Sequence, residues 1–181
     1  MKRSDIPNLI TVLRILLVAP IAWALVHQQF ALALALFFVA GFSDGLDGFL
    51  AKHYGWSSRL GAMLDPLADK VLLVASFAAL SWINLLPLWL LVLVVSRDVV
   101  IVAGAVAYNF RIERLEAQPT LISKVNTVLQ ILLVLLVIVQ QLTPVVQAGL
   151  VRILIYAVTV SVVWSGLDYV ITWSRRASHS Q

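Results

Sequence analysis

Apolar residues along this chain do not alternate with polar ones. They come in runs of about twenty, long enough for a helix to cross the hydrocarbon layer of a bilayer. Six such runs predict helical spans at about 8–26, 30–52, 60–85, 87–110, 121–142 and 145–173. Polar breaks separate them at His27-Gln28-Gln29, from His53 to Arg59, from Asn84 to Pro87, from Arg111 to Thr120, and at Thr143-Pro144. A membrane barrel would instead need alternating segments of about ten residues, so the expected class is an all-α integral membrane protein with six transmembrane helices. Residues 1–181 form one domain in this reading, without internal repeats.

Composition strengthens the case for lipid as the solvent. Of the residues 61% are hydrophobic and only 12% charged, with a mean hydropathy of +0.97. Soluble domains hold about 25% charged residues, and a domain of this length has no core large enough to hide so much apolar surface. The absence of cysteine excludes disulfides and thiolate metal sites. The sequence pI near 9.8 does not point to nucleic acid, because the basic residues are dispersed at span ends rather than gathered in a soluble domain. Six spans put both termini on one side. Lys2, Arg3, Lys52, Arg59, Arg111, Arg114, Lys124, Arg175 and Arg176 then share that side, against Arg152 alone on the other. Such asymmetry predicts both termini inside, in the inner (plasma) membrane. The basic start followed by Arg14 inside the apolar run reads as a first span rather than a removed signal. Trp82, Trp89, Trp164 and Trp173 sit mostly near span ends, as interfacial anchors do.

Four carboxylates break the pattern. The second run turns from FALALALFFVAGF into SDGLDGFLAK, and the third opens RLGAMLDPLADK before becoming apolar again. A charge in mid-membrane costs at least ~2.5–3.5 kcal/mol, and clustered carboxylates repel one another besides, so something must offset them. Asp44 and Asp47 are spaced i, i+3, and Asp65 and Asp69 are spaced i, i+4; each pair occupies one helical face. Packing the two faces together gathers hard oxygen ligands suited to Mg²⁺, Mn²⁺ or Ca²⁺, in a polar, metal-containing cavity at the cytoplasmic side. Gly45, Gly48, Ala51, Gly61 and Ala62 keep the neighbourhood small enough for a helix or a ligand to come close. The alternative is a set of separate ion pairs with Lys52, Arg59 and Lys70. A third reading is an ion-coupled transporter, but transport sites lie near the midplane between repeats, whereas these carboxylates lie toward one side.

The stretch DGLDGFLAKHYGWSSRLGAMLDPLAD resembles the signature D-x2-D-G-x2-A-R-x8-G-x3-D-x3-D of the CDP-alcohol phosphotransferase family. Asp44, Asp47, Gly48, Ala51, Gly61, Asp65 and Asp69 match, and Lys52 stands where the family usually has Arg, keeping the charge but losing the bidentate fork. The resemblance implies displacement of CMP from a CDP-linked lipid by an acceptor hydroxyl. It implies a site of one or two divalent ions, Mg²⁺ or Mn²⁺, held by Asp44, Asp47, Asp65 and Asp69, with Asp69 as general base. It assigns the nucleotide to Asp47, Gly48, Ala51, Lys52, Gly61 and Asp65, and it implies a homodimer.

Three further stretches extend the likeness. IPNLITVLR resembles the opening of bacterial lipid-synthesising members and places Asn8 and Thr11 in support, with Arg14 as a phosphate contact. VVSRDVVIVAG puts Arg97 and Asp98 inside a span, with Arg97 expected to hold an acceptor phosphate, and Arg111 and Lys124 are assigned to acceptor or lipid phosphate as well. PTLISKVNTVLQ keeps Lys124, Thr127 and Gln130 but has Asn126 where phosphatidylglycerophosphate synthases usually carry a second lysine. One cation fewer suits an acceptor that is already a phosphodiester. With SRDV and LDPLADK, the stretch looks like that of the CMP-forming cardiolipin synthases. The resemblance thus implies transfer of phosphatidate from CDP-diacylglycerol to phosphatidylglycerol, with glycerol 3-phosphate as the alternative acceptor.

Overall fold

In a computed structural model the backbone is described over residues 5–54, 59–111 and 121–178, and side chains over 10–45, 67–101 and 122–167. Six α-helices account for nearly all of it: α1 (Asp5–Val26), α2 (Phe30–Tyr54), α3 (Arg59–Trp82), α4 (Leu88–Arg111), α5 (Leu121–Leu142) and α6 (Ala148–Ser178). Their number and order follow the six apolar runs, and their ends differ from the expected ones by up to five residues.

The differences have local causes. Helix α3 stops at Trp82, short of the expected 85, because Asn84 turns to the left-handed region at φ 60°. There the Asn84 amide donates to Ser81 O at 3.1 Å and the Leu85 amide to Leu80 O at 2.9 Å. This double bond pattern is a Schellman cap, which satisfies carbonyls the helix end would orphan. Helix α1 ends the same way, with Gln28 at φ 58°, its amide donating to Leu25 O and the Gln29 amide to Ala24 O. Helix α6 begins three residues late because Pro144 starts a turn after Thr143.

Asparagine tolerates the left-handed conformation, whereas glutamine does so at a cost of about 1 kcal/mol. Gln28→Gly is therefore expected to stabilise the protein by about 0.5–1 kcal/mol, read as a rise in the detergent-solubilised melting temperature, with Asn84→Gly changing it less. A fall on Gln28→Gly would show that the exposed Gln28 side chain makes a contact worth more than the relieved strain.

Helix α1 packs against α2 and α3; α4 lies on α3 and α6; and α5 joins α6, α2 and α3. Phe37, Phe77, Leu80, Leu90, Leu133, Ile138 and Val158 are among the side chains that fill the core between them. Large apolar side chains also point outward on all six helices, Phe42 at 73% and Leu16 at 65% exposure among them. A water-soluble bundle would keep such surface in small patches. Within α5 and α6, Ile122–Leu142 and Ala148–Leu167 are long and apolar enough to cross a membrane, with mean hydropathies of 2.3 and 1.9; Ile10–Val26 and Phe30–Gly45 are shorter apolar stretches.

Polarity is segregated along the bundle. Thr11 and Arg14 are buried in the first half of α1, Asn126 and Gln130 in the first half of α5 and Ser165 toward the second half of α6, and Arg97 lies beyond the apolar start of α4. The short connections at 27–29, 83–87 and 143–147 make antiparallel hairpins, so these six side chains lie toward one end of the bundle, while the buried Ser76 and Ser81 of α3 lie among the apolar core toward the other.

Candidate active site

Arg14 organises the meeting point of α1, α2 and α3. It is 1% exposed, and its Nη1 donates to Asp44 Oδ1 at 2.7 Å and to Asp69 Oδ1 at 2.8 Å. The two aspartates come from the two halves of the acidic motif, one from each helix, and each remains close to half exposed. A buried guanidinium beneath two accessible carboxylates has a clear electrostatic logic. The cation compensates part of their repulsion from the dry side and leaves the pair facing a wetter region. Thr11, one turn before Arg14, is fully buried.

Helix α2 continues unbroken through residues 44–47, and α3 through 65–69. The spacings i, i+3 and i, i+4 therefore lie on continuous helix and keep their register. The side chains of Asp47, Gly48, Ala51, Lys52, Gly61, Asp65, Asn8 and Arg111 lie outside the described residues. Among the described residues, no three acidic or imidazole side chains gather in a metal-binding group. The donors that do converge, Asp44 and Asp69, are hard oxygen ligands, so their chemistry fits a Mg²⁺- or Mn²⁺-type ion. Among the described residues, a Cβ on Gly45 would meet no atom within 4 Å, so helix contact among them does not explain its small size.

A second polar cluster joins the other helices. Arg97 Nη1 donates to Asp98 Oδ1 at 2.8 Å, and its Nη2 donates to Ser123 Oγ at 2.8 Å and Ser165 Oγ at 2.6 Å. Lys70 Nζ, next in sequence to Asp69, donates to Asp98 Oδ1 at 3.2 Å. One buried arginine thus ties α4 to α5 and α6, while Asp98 ties α4 to α3. Asn126 is fully buried and accepts from Ser161 Oγ at 2.8 Å. Thr127 Oγ1 donates to the Ser123 carbonyl, whereas Lys124 is exposed.

The structure brings Asp44, Asp69 and Arg14 together, and sets Arg97 and Asn126 in networks of their own. Three serines in these networks, Ser123, Ser161 and Ser165, were not anticipated from sequence. The signal present was a hydroxyl inside an apolar helix, which reads equally well as a bond to the helix's own carbonyl, the arrangement Ser76 adopts with Leu72 O.

Comparison with known proteins places this chain in a family. Residues 4–165 match the CDP-alcohol phosphatidyltransferase family. The human protein named cardiolipin synthase (CMP-forming) is 34% identical over 145 residues, which cover 71% of this chain and 48% of that protein. The rice chloroplastic CDP-diacylglycerol--glycerol-3-phosphate 3-phosphatidyltransferase 1 is 37% identical over 147 residues, covering 72% and 45%. A Streptomyces coelicolor protein named cardiolipin synthase (CMP-forming) is 33% identical over 99 residues, covering 51% and 46%. This chain spans less than half the length of these relatives. With the acidic motif divided between two helices that meet at Arg14, and the match running through 162 of its residues from 4 to 165, the chain belongs to the CDP-alcohol phosphatidyltransferase family.

Proposed function

We propose that this protein transfers the phosphatidyl group of CDP-diacylglycerol to phosphatidylglycerol, giving cardiolipin and CMP, in a membrane with its acidic site toward the cytoplasm. The observation that carries the reading is the convergence of Asp44 and Asp69 on Arg14, which joins the two halves of the motif at one accessible point. Asp44, Asp47, Asp65 and Asp69 would hold one or two divalent ions, whose contribution is to neutralise charge on the pyrophosphate and on departing CMP. Gly48, Ala51, Lys52 and Gly61 complete the nucleotide side. The acceptor's hydroxyl oxygen bonds to the β-phosphorus as the bond from that phosphorus to the bridging oxygen breaks. CMP leaves with the electrons of that bond, and the acceptor's proton passes to Asp69. Arg14 fixes Asp69 in place for this step. The assembly expected from the resemblance is a homodimer.

Arg111 and Lys124 are assigned to acceptor or lipid phosphate; Arg97, expected there too, is buried with both terminal nitrogens bonded to Asp98, Ser123 and Ser165, and would have to exchange one of these partners to meet a phosphate. Asn126 supports a phosphodiester acceptor over a phosphomonoester one, because it is buried against Ser161 where a second lysine would supply charge. The likeness to the rice enzyme named for glycerol 3-phosphate favours the second reading, a phosphatidylglycerophosphate synthase. Detergent-solubilised protein with Mg²⁺ or Mn²⁺ is expected to release CMP from CDP-diacylglycerol when phosphatidylglycerol is supplied. Turnover with glycerol 3-phosphate alone would replace the first reading with the second. Turnover with neither would reject both.

A further inference from the structure

Lys70 stands beside the acidic pair without joining it. It follows Asp69 directly on α3, about 1.5 Å further along the axis and about 100° around it. Its Nζ donates across to α4, to Asp98 Oδ1 at 3.2 Å, and Arg97 Nη1 donates to the same oxygen at 2.8 Å. One carboxylate therefore serves two cations. The other partners of Arg97, Ser123 and Ser165, are hydroxyls and bring no charge. Among these groups one positive charge is left over, and a charge inside a span is costly unless an anion meets it.

The two cations are not equivalent. The Arg97 side chain is 6% exposed and that of Lys70 35%, with Asp98 between them at 17%. Arg97 Nε is buried and has no partner among the described residues, so surrendering Asp98 would strand a second donor on the same guanidinium. Lys70 makes the longer contact, and it is the cation an arriving ligand can reach. Asp98 thus neutralises the buried arginine and leaves Lys70 as one accessible positive charge next to Asp69. That single charge discriminates between acceptors. A phosphomonoester carries close to two negative charges at neutral pH, because its second pKa is about 6, whereas a phosphodiester carries one.

We propose that Asp98 determines the charge of the acceptor: by holding Arg97 neutral it leaves Lys70 to meet a singly charged phosphodiester, and without it the same place would favour a dianion. Asp98 touches no reacting atom and acts through Lys70 and Arg97. The proposal rests on the acceptor reading only for assigning that phosphodiester to the acceptor; anion selectivity is a separate measurement. The probes are dimethyl phosphate, a monoanion, and methyl phosphate, a dianion at about pH 8. Each is used as an inhibitor of CMP release from CDP-diacylglycerol, with whichever acceptor the protein turns over. If it turns over neither, the shift each probe gives the melting temperature is read instead.

Asp98→Asn is expected to tighten methyl phosphate about tenfold relative to dimethyl phosphate, the scale on which one unit of charge a few ångströms away acts. Asp98→Glu keeps the charge and should keep the wild-type ratio. A carboxylate that only held α4 against α3 would, on removal, weaken both probes alike. Lys70→Gln carries the test if Asp98→Asn does not fold. It should weaken both probes and raise the KM of the acceptor about tenfold, with the KM of CDP-diacylglycerol within about twofold of wild type. An unchanged ratio in folded Asp98→Asn overturns the proposal, as does a Lys70→Gln effect on CDP-diacylglycerol rather than on the acceptor. Turnover with glycerol 3-phosphate alone, with the ratio still shifted by Asp98→Asn, would keep the role of Asp98 and reject the phosphatidylglycerol reading.

Discussion

Asp69→Asn is expected to lower CMP release by about a thousandfold, the middle of the range that a positioned proton acceptor contributes. The substitution isolates one property. An asparagine in the same place still offers Oδ1 to Arg14 Nη1, now 2.8 Å from the aspartate, so the contact between α1 and α3 survives in altered form. What goes is the capacity to take a proton, and one charge. Nucleotide binding should therefore persist within about tenfold while turnover collapses. Asp44→Asn is the comparison, since Asp44 shares the guanidinium but carries no proposed proton transfer. Binding of CDP-diacylglycerol by each variant, measured beside kcat, separates the roles. If Asp69→Asn loses binding and turnover in equal measure, Asp69 acts only through the metal and another group takes the proton.

The six helices were legible because each apolar run is a bilayer's length and each break is polar. That signal is local and needs no knowledge of partners. Helix ends were less so. The stop at Trp82 depends on Asn84 entering the left-handed region and on two amides reaching back to Leu80 and Ser81, a geometry that Asn-Leu-Leu-Pro permits without demanding. Spacing put each aspartate pair on one helical face, since i, i+3 and i, i+4 fix a face on any helix, and of the four the described side chains include Asp44 and Asp69, which converge. The partner of Asp44 and Asp69 was not. Arg14 stood out as a cation in an apolar run and was expected at a phosphate. Its pairing with a residue 55 positions away follows from how α1 lies between α2 and α3, and no periodicity encodes that. Arg97 is similar: its position inside a span was plain, whereas the serines that hold it come from α5 and α6.

Arg14→Gln tests whether the arginine is a stand-in for cationic charge at the acidic site. Removing it leaves Asp44 and Asp69 converging without the guanidinium that lies between them, over a buried side chain that is shorter and neutral. Loss of one partner from a buried ion pair costs about 3–5 kcal/mol, but both carboxylates keep over 40% of their exposure and solvent screens part of their repulsion, so about 2 kcal/mol is expected here. The loss should appear as a lower melting temperature of the detergent-solubilised protein in chelator. It should then shrink as Mg²⁺ or Mn²⁺ is added, because a bound divalent ion supplies compensating charge to the same oxygens and stabilises the folded state by mass action. The wild-type protein, whose carboxylates already have Arg14, should gain less from the metal. Ca²⁺ should rescue less than Mg²⁺ if the pocket is small, while Na⁺ at matched ionic strength should do little, which separates coordination from screening. Equal metal responses in the two proteins would mean that Arg14 and the ion act at different places, and the shared acidic centre on which the proposed chemistry depends would have to be abandoned.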